Sequence, residues 1–343
     1  MDENLALTPE PEEEDEAAIS IKPFSPEEMI GCAACKRANP PNRVKCLYCG
    51  VPLPDDQLAA KLQRPSLRRL AEMEAGVNII LLNCGNAELS SAAAEISELL
   101  RLPRKDAEAI LSLEIPSPLV RVPHDVEAAV TIDRLATIGL VAIGVSDRDL
   151  GFLEFPPRRS HKLELGASEL GIQFSSGAEG IETSWDRLRL IVTGRLRVSR
   201  VELEERKGRD IEKEVTNSSE TSADEAVIDI FVEGRTEVIR VTAAGFDFSC
   251  LKERMALTTA ANFVTLTNEL MKRAPLCRLD NTFSKQRRIL DVVWPVEQKQ
   301  EAGRIRRLAP GRYRTEAVLI RDNETQFTRY SYLSSYLSRL GYQ

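Results

Sequence analysis

Apolar residues change their spacing twice along this chain. Between 77 and 146 they come in blocks. Val77 to Leu82 is a continuous apolar run of strand length, and Glu88 to Leu100 and Arg104 to Leu113 carry helical spacing. Pro103 stands at the mouth of the second helix and Pro116 lies beyond its end. Leu119 to Val122 then predicts a strand, Asp125 to Ile138 a helix closed by Gly139, and Leu140 to Val145 a last strand. This βααβαβ order predicts a small α+β domain over 77–147, with three strands covered by helices on one face.

Consecutive prolines in Phe155-Pro156-Pro157 mark a boundary within a linker at 148–160. From His161 the period becomes two. Short alternating runs, 162–165, 171–174, 188–192, 197–203, 226–232 and 237–241, are separated by turn signals such as Ser176-Gly177, Thr193-Gly194 and Glu233-Gly234. The polar stretch Arg206 to Asp224 reads as a long exposed loop and Phe246 to Cys250 as a further strand. Thr258 to Arg273 reads as an amphipathic helix with Ala261, Val264, Leu266 and Leu270 on its apolar side. The expectation for 161–276 is a mainly antiparallel, barrel-like β domain with a closing helix. Beyond it, Tyr332, Leu333, Tyr336, Leu337 and Leu340 recur at helical spacing, as in a terminal helix packed on a domain.

Charge divides the chain further. Residues 1–29 hold ten acids against Lys22 alone, so this segment is expected to be a disordered tail. Residues 53–76 read as a linker of two short helices, Asp55 to Leu62 and Ser66 to Glu74, broken by Pro65. The C-terminal segment 277–343 is basic, with thirteen Lys and Arg against seven Asp and Glu. Four of the six tyrosines, Tyr330, Tyr332, Tyr336 and Tyr342, lie at its end, and rings among arginines offer either helix packing or stacking on single-stranded nucleic acid. No apolar stretch approaches the roughly 20 residues that span a bilayer, so no membrane insertion is expected. Met1 is followed by acids and not by a basic region with an apolar core, so the expected setting is reducing and cytoplasmic.

The chemistry concentrates in residues 30–52. Cys32, Cys35, Cys46 and Cys49 form two Cys-x-x-Cys pairs ten residues apart, the spacing of two knuckles that enclose one tetrahedral Zn²⁺. Four protein ligands leave no open position, so one Zn²⁺ per chain is expected to be structural. A pair of disulfides is the competing reading. With Asn39, Pro40 and the closing Cys49-Gly50, the stretch resembles the short bacterial zinc ribbon, and shares its Cys spacing and Asn with the zinc finger of the Ran-binding-protein type. The ribbon likeness implies that the Asn39 side chain ties the two knuckles together.

Two further resemblances follow. Ile79-Ile80-Leu81-Leu82, Arg104 to Leu111 and Ile138-Gly139-Leu140-Val141 resemble the C-terminal domain of the bacterial ribosomal stalk protein. Of that family's factor-binding positions only Lys105 is matched; Ala94 and Ser97 stand where its basic helix residues belong and Arg101 and Pro103 where its glycines belong, so the likeness implies a fold and not factor binding. The strands, the closing helix and Trp185-Asp186 resemble a pleckstrin-homology-like module. Glu169, Glu179 and Glu182 replace the basic cluster that phosphoinositide binding needs, which favours peptide or intramolecular contact.

Phosphate-loop, dinucleotide, nucleophile-elbow and zinc-protease motifs are all missing, and His124 and His161 are the only histidines. His124 reads as a helix-start residue. The sequence therefore reads as a non-enzyme with no small-molecule substrate evident: an adaptor that binds protein partners. A translation- or nucleic-acid-associated factor, using the basic ribbon and C-terminus, is the alternative, and an enzyme with an inter-domain carboxylate site comes last.

Overall fold

The computed structural model describes residues 29–40, 43, 45–53, 70–175, 177, 179–207, 213–301, 305–309 and 312–342. The acidic tail up to residue 28 and the helices expected over 55–62 and 66–69 lie outside these residues. The described end of the second helix, 70–74, is a turn closed by the Glu74 N–H on Ala71 O. Two compact units emerge, Met1–Gln63 and Arg64–Gln343. The first contains strands β1 (Ile30–Gly31) and β2 (Ala38–Asn39), paired antiparallel.

The second unit begins with β3 (Val77–Asn83), α1 (Leu89–Leu100), α2 (Arg104–Leu111), β4 (Ser117–Val122), α3 (Asp125–Thr137), β5 (Val141–Ser146) and the single turn α4 (Asp147–Leu150). Local chemistry sets these limits. Glu88 caps α1 by accepting from the Ser90 and Ser91 N–H groups, and Arg101 ends it in a left-handed conformation. The three strands lie in the order β4-β3-β5, antiparallel throughout. β3 is buried from Val77 to Leu82 because both faces are covered: the Trp294 Nε1–H reaches Asn78 Oδ1 at 2.9 Å from the C-terminal part of the chain.

A larger, ten-stranded sheet follows. Its strands are β6 (Arg158–Leu165), β7 (Glu169–Phe174), β8 (Ile181–Ser184), β9 (Leu188–Lys207), β10 (Lys213–Val232), β11 (Ile239–Thr242), β12 (Arg278–Asp280), β13 (Gln298–Glu301), β14 (Ile305–Ala309) and β15 (Arg312–Asp322). The path β13-β15-β9-β10-β11-β6-β7-β8 ends at two separate edges, so the expected barrel-like closure is replaced by an open sheet. The cause lies in the C-terminal segment, whose β15 pairs along β9 from Tyr313 to Asp322 and extends the sheet instead of letting it curl shut. The described part of the polar stretch expected as a loop, 206–207 and 213–224, is ladder: β9 and β10 pair from Lys207↔Lys213 to Leu188↔Val232, since backbone hydrogen bonds need no apolar side chains.

Each face of this sheet has its own core. Helix α5 (Thr259–Arg273) packs Phe263, Leu266 and Leu270 against Ile228, Ile230 and Trp185, while Val264, expected on the apolar side, is exposed. Phe248–Arg254 forms a short 3-10 turn in place of the strand expected at 246–250. The opposite face receives α6 (Phe283–Val293) and α7 (Glu324–Arg339), which share one core with the β3–β5 layer. Helix α7 is the centre of that layer: Phe327, Tyr330, Tyr332, Leu333 and Leu337 are all buried. Gly194, read as a turn signal, lies inside β9. A Cβ there would stand 2.5 Å from the Phe327 ring and 3.0 Å from Phe283, so the glycine makes room for two rings.

Buried ion pairs pin the N-terminal half of α7. Arg240 and Asp229, cross-strand partners on β11 and β10, form a two-pronged pair at 2.7 Å, each 1% exposed or less, and Arg240 also reaches Glu324. Burial pushes the Arg240 guanidinium down, and Asp229 with Glu324 outweighs it and holds its pKa above the usual value. Five residues further along α7, Arg329 donates to Asp147, which also accepts from Arg121, the Gly76 N–H and Asn78.

Candidate metal centre

The four cysteines lie on two copies of one backbone device, offset by fourteen residues. Cys32 N–H donates to Arg37 O at 3.0 Å, and Cys46 N–H to Val51 O at 2.9 Å. Lys36 N–H returns to Cys32 O at 2.9 Å, and Gly50 N–H to Cys46 O at 3.0 Å. The returning residues are left-handed, with φ of 60° at Lys36 and 72° at Gly50. The strand contact Gly31↔Ala38 recurs as Lys45↔Pro52. Each Cys-x-x-Cys pair therefore closes a knuckle that aims two sulfurs to one side.

Between the knuckles stands Asn39, fully buried. Its Nδ2 donates to Arg37 O at 3.0 Å and its Oδ1 accepts the Leu47 N–H at 2.8 Å, so one side chain holds the first knuckle against the second. This is the tie that the ribbon resemblance implied.

All four Sγ atoms lie within 4.8 Å of one another. The Cys32–Cys49 and Cys35–Cys46 sulfurs are 3.6 and 3.5 Å apart. A disulfide needs about 2.05 Å, so the cysteines are free thiols and the disulfide reading falls. A tetrahedron of Zn–S bonds of about 2.3 Å has edges of roughly 3.8 Å, and the cluster fits that size. The electrostatics ask for a cation. Backbone N–H groups, Cys35 first, hold Cys32 below the ordinary thiol range. Burial pushes Cys46 up, and the N–H groups of Tyr48 and Cys49 outweigh it and bring it to about 6. At Cys49 the Val51 N–H lowers the pKa, but burial and the other three sulfurs push it up to about 12. Four sulfurs shed their protons together only around a positive ion, and four protein donors close its shell.

The remaining cysteines have no such role. Burial raises Cys84, takes Cys250 to about 11 and Cys277 to about 12, so none is an activated thiol. His124 precedes α3 as its capping residue, and His161 lies within β6. Among the described residues, the quartet is the one cluster of three or more His, Cys, Asp or Glu side chains placed to hold a metal ion. No helix among them is long and apolar enough to cross a membrane.

Sequence reasoning missed the charged groups between the β3–β5 layer and α7. Arg329 reaches Asp147 across 182 residues, and no local pattern announces such a pair. Comparison with protein-family models, with curated proteins and with solved structures finds no match for this chain. The metal centre itself is thus what carries a functional reading.

Proposed function

We propose that this chain is a cytoplasmic multi-domain adaptor in which one structural Zn²⁺ fixes the knuckle surface that meets a protein partner. The observation that carries this reading is a difference between two equivalent knuckles. Where the first has Ala33, Ala34 and Arg37, the second has Leu47, Tyr48 and Val51, exposed by 53, 57 and 40%. The same backbone is built with alanines, so the fold does not demand these apolar side chains. Exposed apolar groups on a metal-rigid frame are a contact surface. Residues 29–53 also contain no Asp or Glu and four Lys or Arg, with the Arg37 guanidinium 4.7 Å from the centre of the Tyr48 ring. That composition favours an acidic partner surface.

In this reading the metal does no chemistry, and the second unit, in which 77–147 and the ten-stranded sheet share one core with the C-terminal helices, acts as a scaffold. The nucleic-acid alternative loses one support, because Tyr330 and Tyr332 are buried in the α7 core and present no ring for base stacking. Affinity capture with the full chain and with its Tyr48→Asp variant, at equal zinc content, tests the proposal. Partners held by the wild type and lost by the variant are expected. Identical partner sets, or salt-dependent retention of RNA by both, would remove it.

A further inference from the structure

A cavity of about 430 Å³ lies within the second unit, between the turn after α1, strand β4, the end of α6 and helix α7. Its volume falls in the range of small-molecule sites, and most of its wall is apolar, including Leu102, Val293 and Trp294. Its floor is charged. Arg329 is 2% exposed, Arg121 7% and Glu72 8%, while Arg101 and Asp291 stand exposed at the rim.

The bonds within the floor are incomplete in a particular way. Asp147 lies behind the cavity and is shared by both buried arginines, so it neutralises one of two positive charges. Arg329 gives Nε–H to Asp147 and an Nη2–H to the backbone oxygen of Glu72, not to its carboxylate. The carboxylate Oε2 of Glu72 is buried with no hydrogen-bond partner. A guanidinium and a carboxylate thus line one chamber without bonding each other, an arrangement that is costly unless something bridges it. Burial, opposed by Asp147, holds Arg329 down at about 10, the direction expected of an under-neutralised cation.

The chemistry of a bridging ligand follows. It must offer an acceptor to Arg329 and a donor to Glu72 within a few ångströms, and an apolar body for the wall. It should also carry one charge of each sign, since the two groups it bridges are the Arg329 guanidinium and the Glu72 carboxylate. We propose that this cavity binds a free apolar α-amino acid, with its carboxylate toward Arg329, its ammonium toward Glu72 and its side chain against Trp294 and Val293. The site is separate from the metal centre, and its failure leaves the adaptor reading untouched.

Calorimetric titration of the full-length, metal-loaded protein with L-leucine and L-phenylalanine tests it, beside N-acetyl-L-leucine and L-leucinamide, which lack the ammonium and the carboxylate respectively. Saturable binding of a free amino acid is expected, weakened about tenfold or more by either block. In Glu72→Gln the gap between leucine and its N-acetyl form should close. Val292→Trp, at a half-exposed position of the wall, should abolish binding while the melting temperature holds. A cavity that is merely hydrated saturates with none of these probes, and that result overturns the proposal. Equal binding of the free and blocked forms, or wild-type binding by Val292→Trp, overturns it as well.

Discussion

Removing the metal should unfold the first unit and leave the second intact. The structure sets the size of the effect. Among the described residues of 29–53 the buried aliphatic side chains are Ile30 and Leu53, worth about 1.5–3 kcal/mol each when fully buried. Units below roughly 40 residues seldom hold together on such a core without metals or disulfides, and the cysteines here are free. Zinc bound to four thiolates supplies about 10–16 kcal/mol near neutral pH, so the metal-free unit has no means to stay folded. Hydrogen exchange reads this directly. The amides of Cys32, Lys36, Cys46, Leu47 and Gly50 have acceptors inside the knuckles and should be protected with metal and unprotected after chelation. Trp185 and Trp294 are buried in the second unit, at 6 and 3% exposure, and their emission should not change. Knuckle amides still protected in metal-free protein, or less than half an equivalent of zinc in the purified chain, would refute the reasoning. A large shift in tryptophan emission would show that the units do not behave independently.

Three further outcomes test the second unit. Gly194→Ala should destabilise it by about 1–3 kcal/mol in urea unfolding, because the added methyl meets the Phe327 and Phe283 rings; an unchanged midpoint would mean that the rings move aside freely. Asp229→Asn leaves the buried Arg240 with Glu324 alone and should cost about 3–5 kcal/mol, whereas the double replacement Asp229→Leu with Arg240→Met should fold with stability close to wild type; a double variant less stable than the single one would refute the idea that the buried pair can be replaced by apolar residues. Burial raises the Glu324 carboxyl, but Arg159 and Arg240 outweigh it and hold its pKa below the usual range. Its contribution is therefore present above the unfolded value of about 4.3 and is lost as pH falls through the lower folded pKa. Glu324→Gln should remove that part of the acid loss, which a urea series on either side of this pH measures.

The clustering of the four cysteines was legible in the sequence because all its determinants are local. Cys-x-x-Cys spacing, a buried Asn between the pairs and a left-handed residue after each knuckle act within about twenty residues, and no distant contact is needed to aim the sulfurs. The helices and strands from 77 to 146 were legible for a similar reason: Pro103, Gly139 and the apolar runs impose their limits wherever the segment packs. Tertiary structure decided the rest. Whether the β strands close or stay open depends on β15 pairing with β9, more than a hundred residues apart, and a period of two is the same in a barrel and in an open sheet. Gly194 reads as a turn until Phe327 and Phe283 are known to lie on it. The charged cavity floor joins Glu72, Arg121, Asp147 and Arg329 from distant stretches, and each of them alone has the appearance of an ordinary solvated charge. Local chemistry is written in spacing, whereas long-range pairing is chosen by which surfaces, once formed, bury one another best.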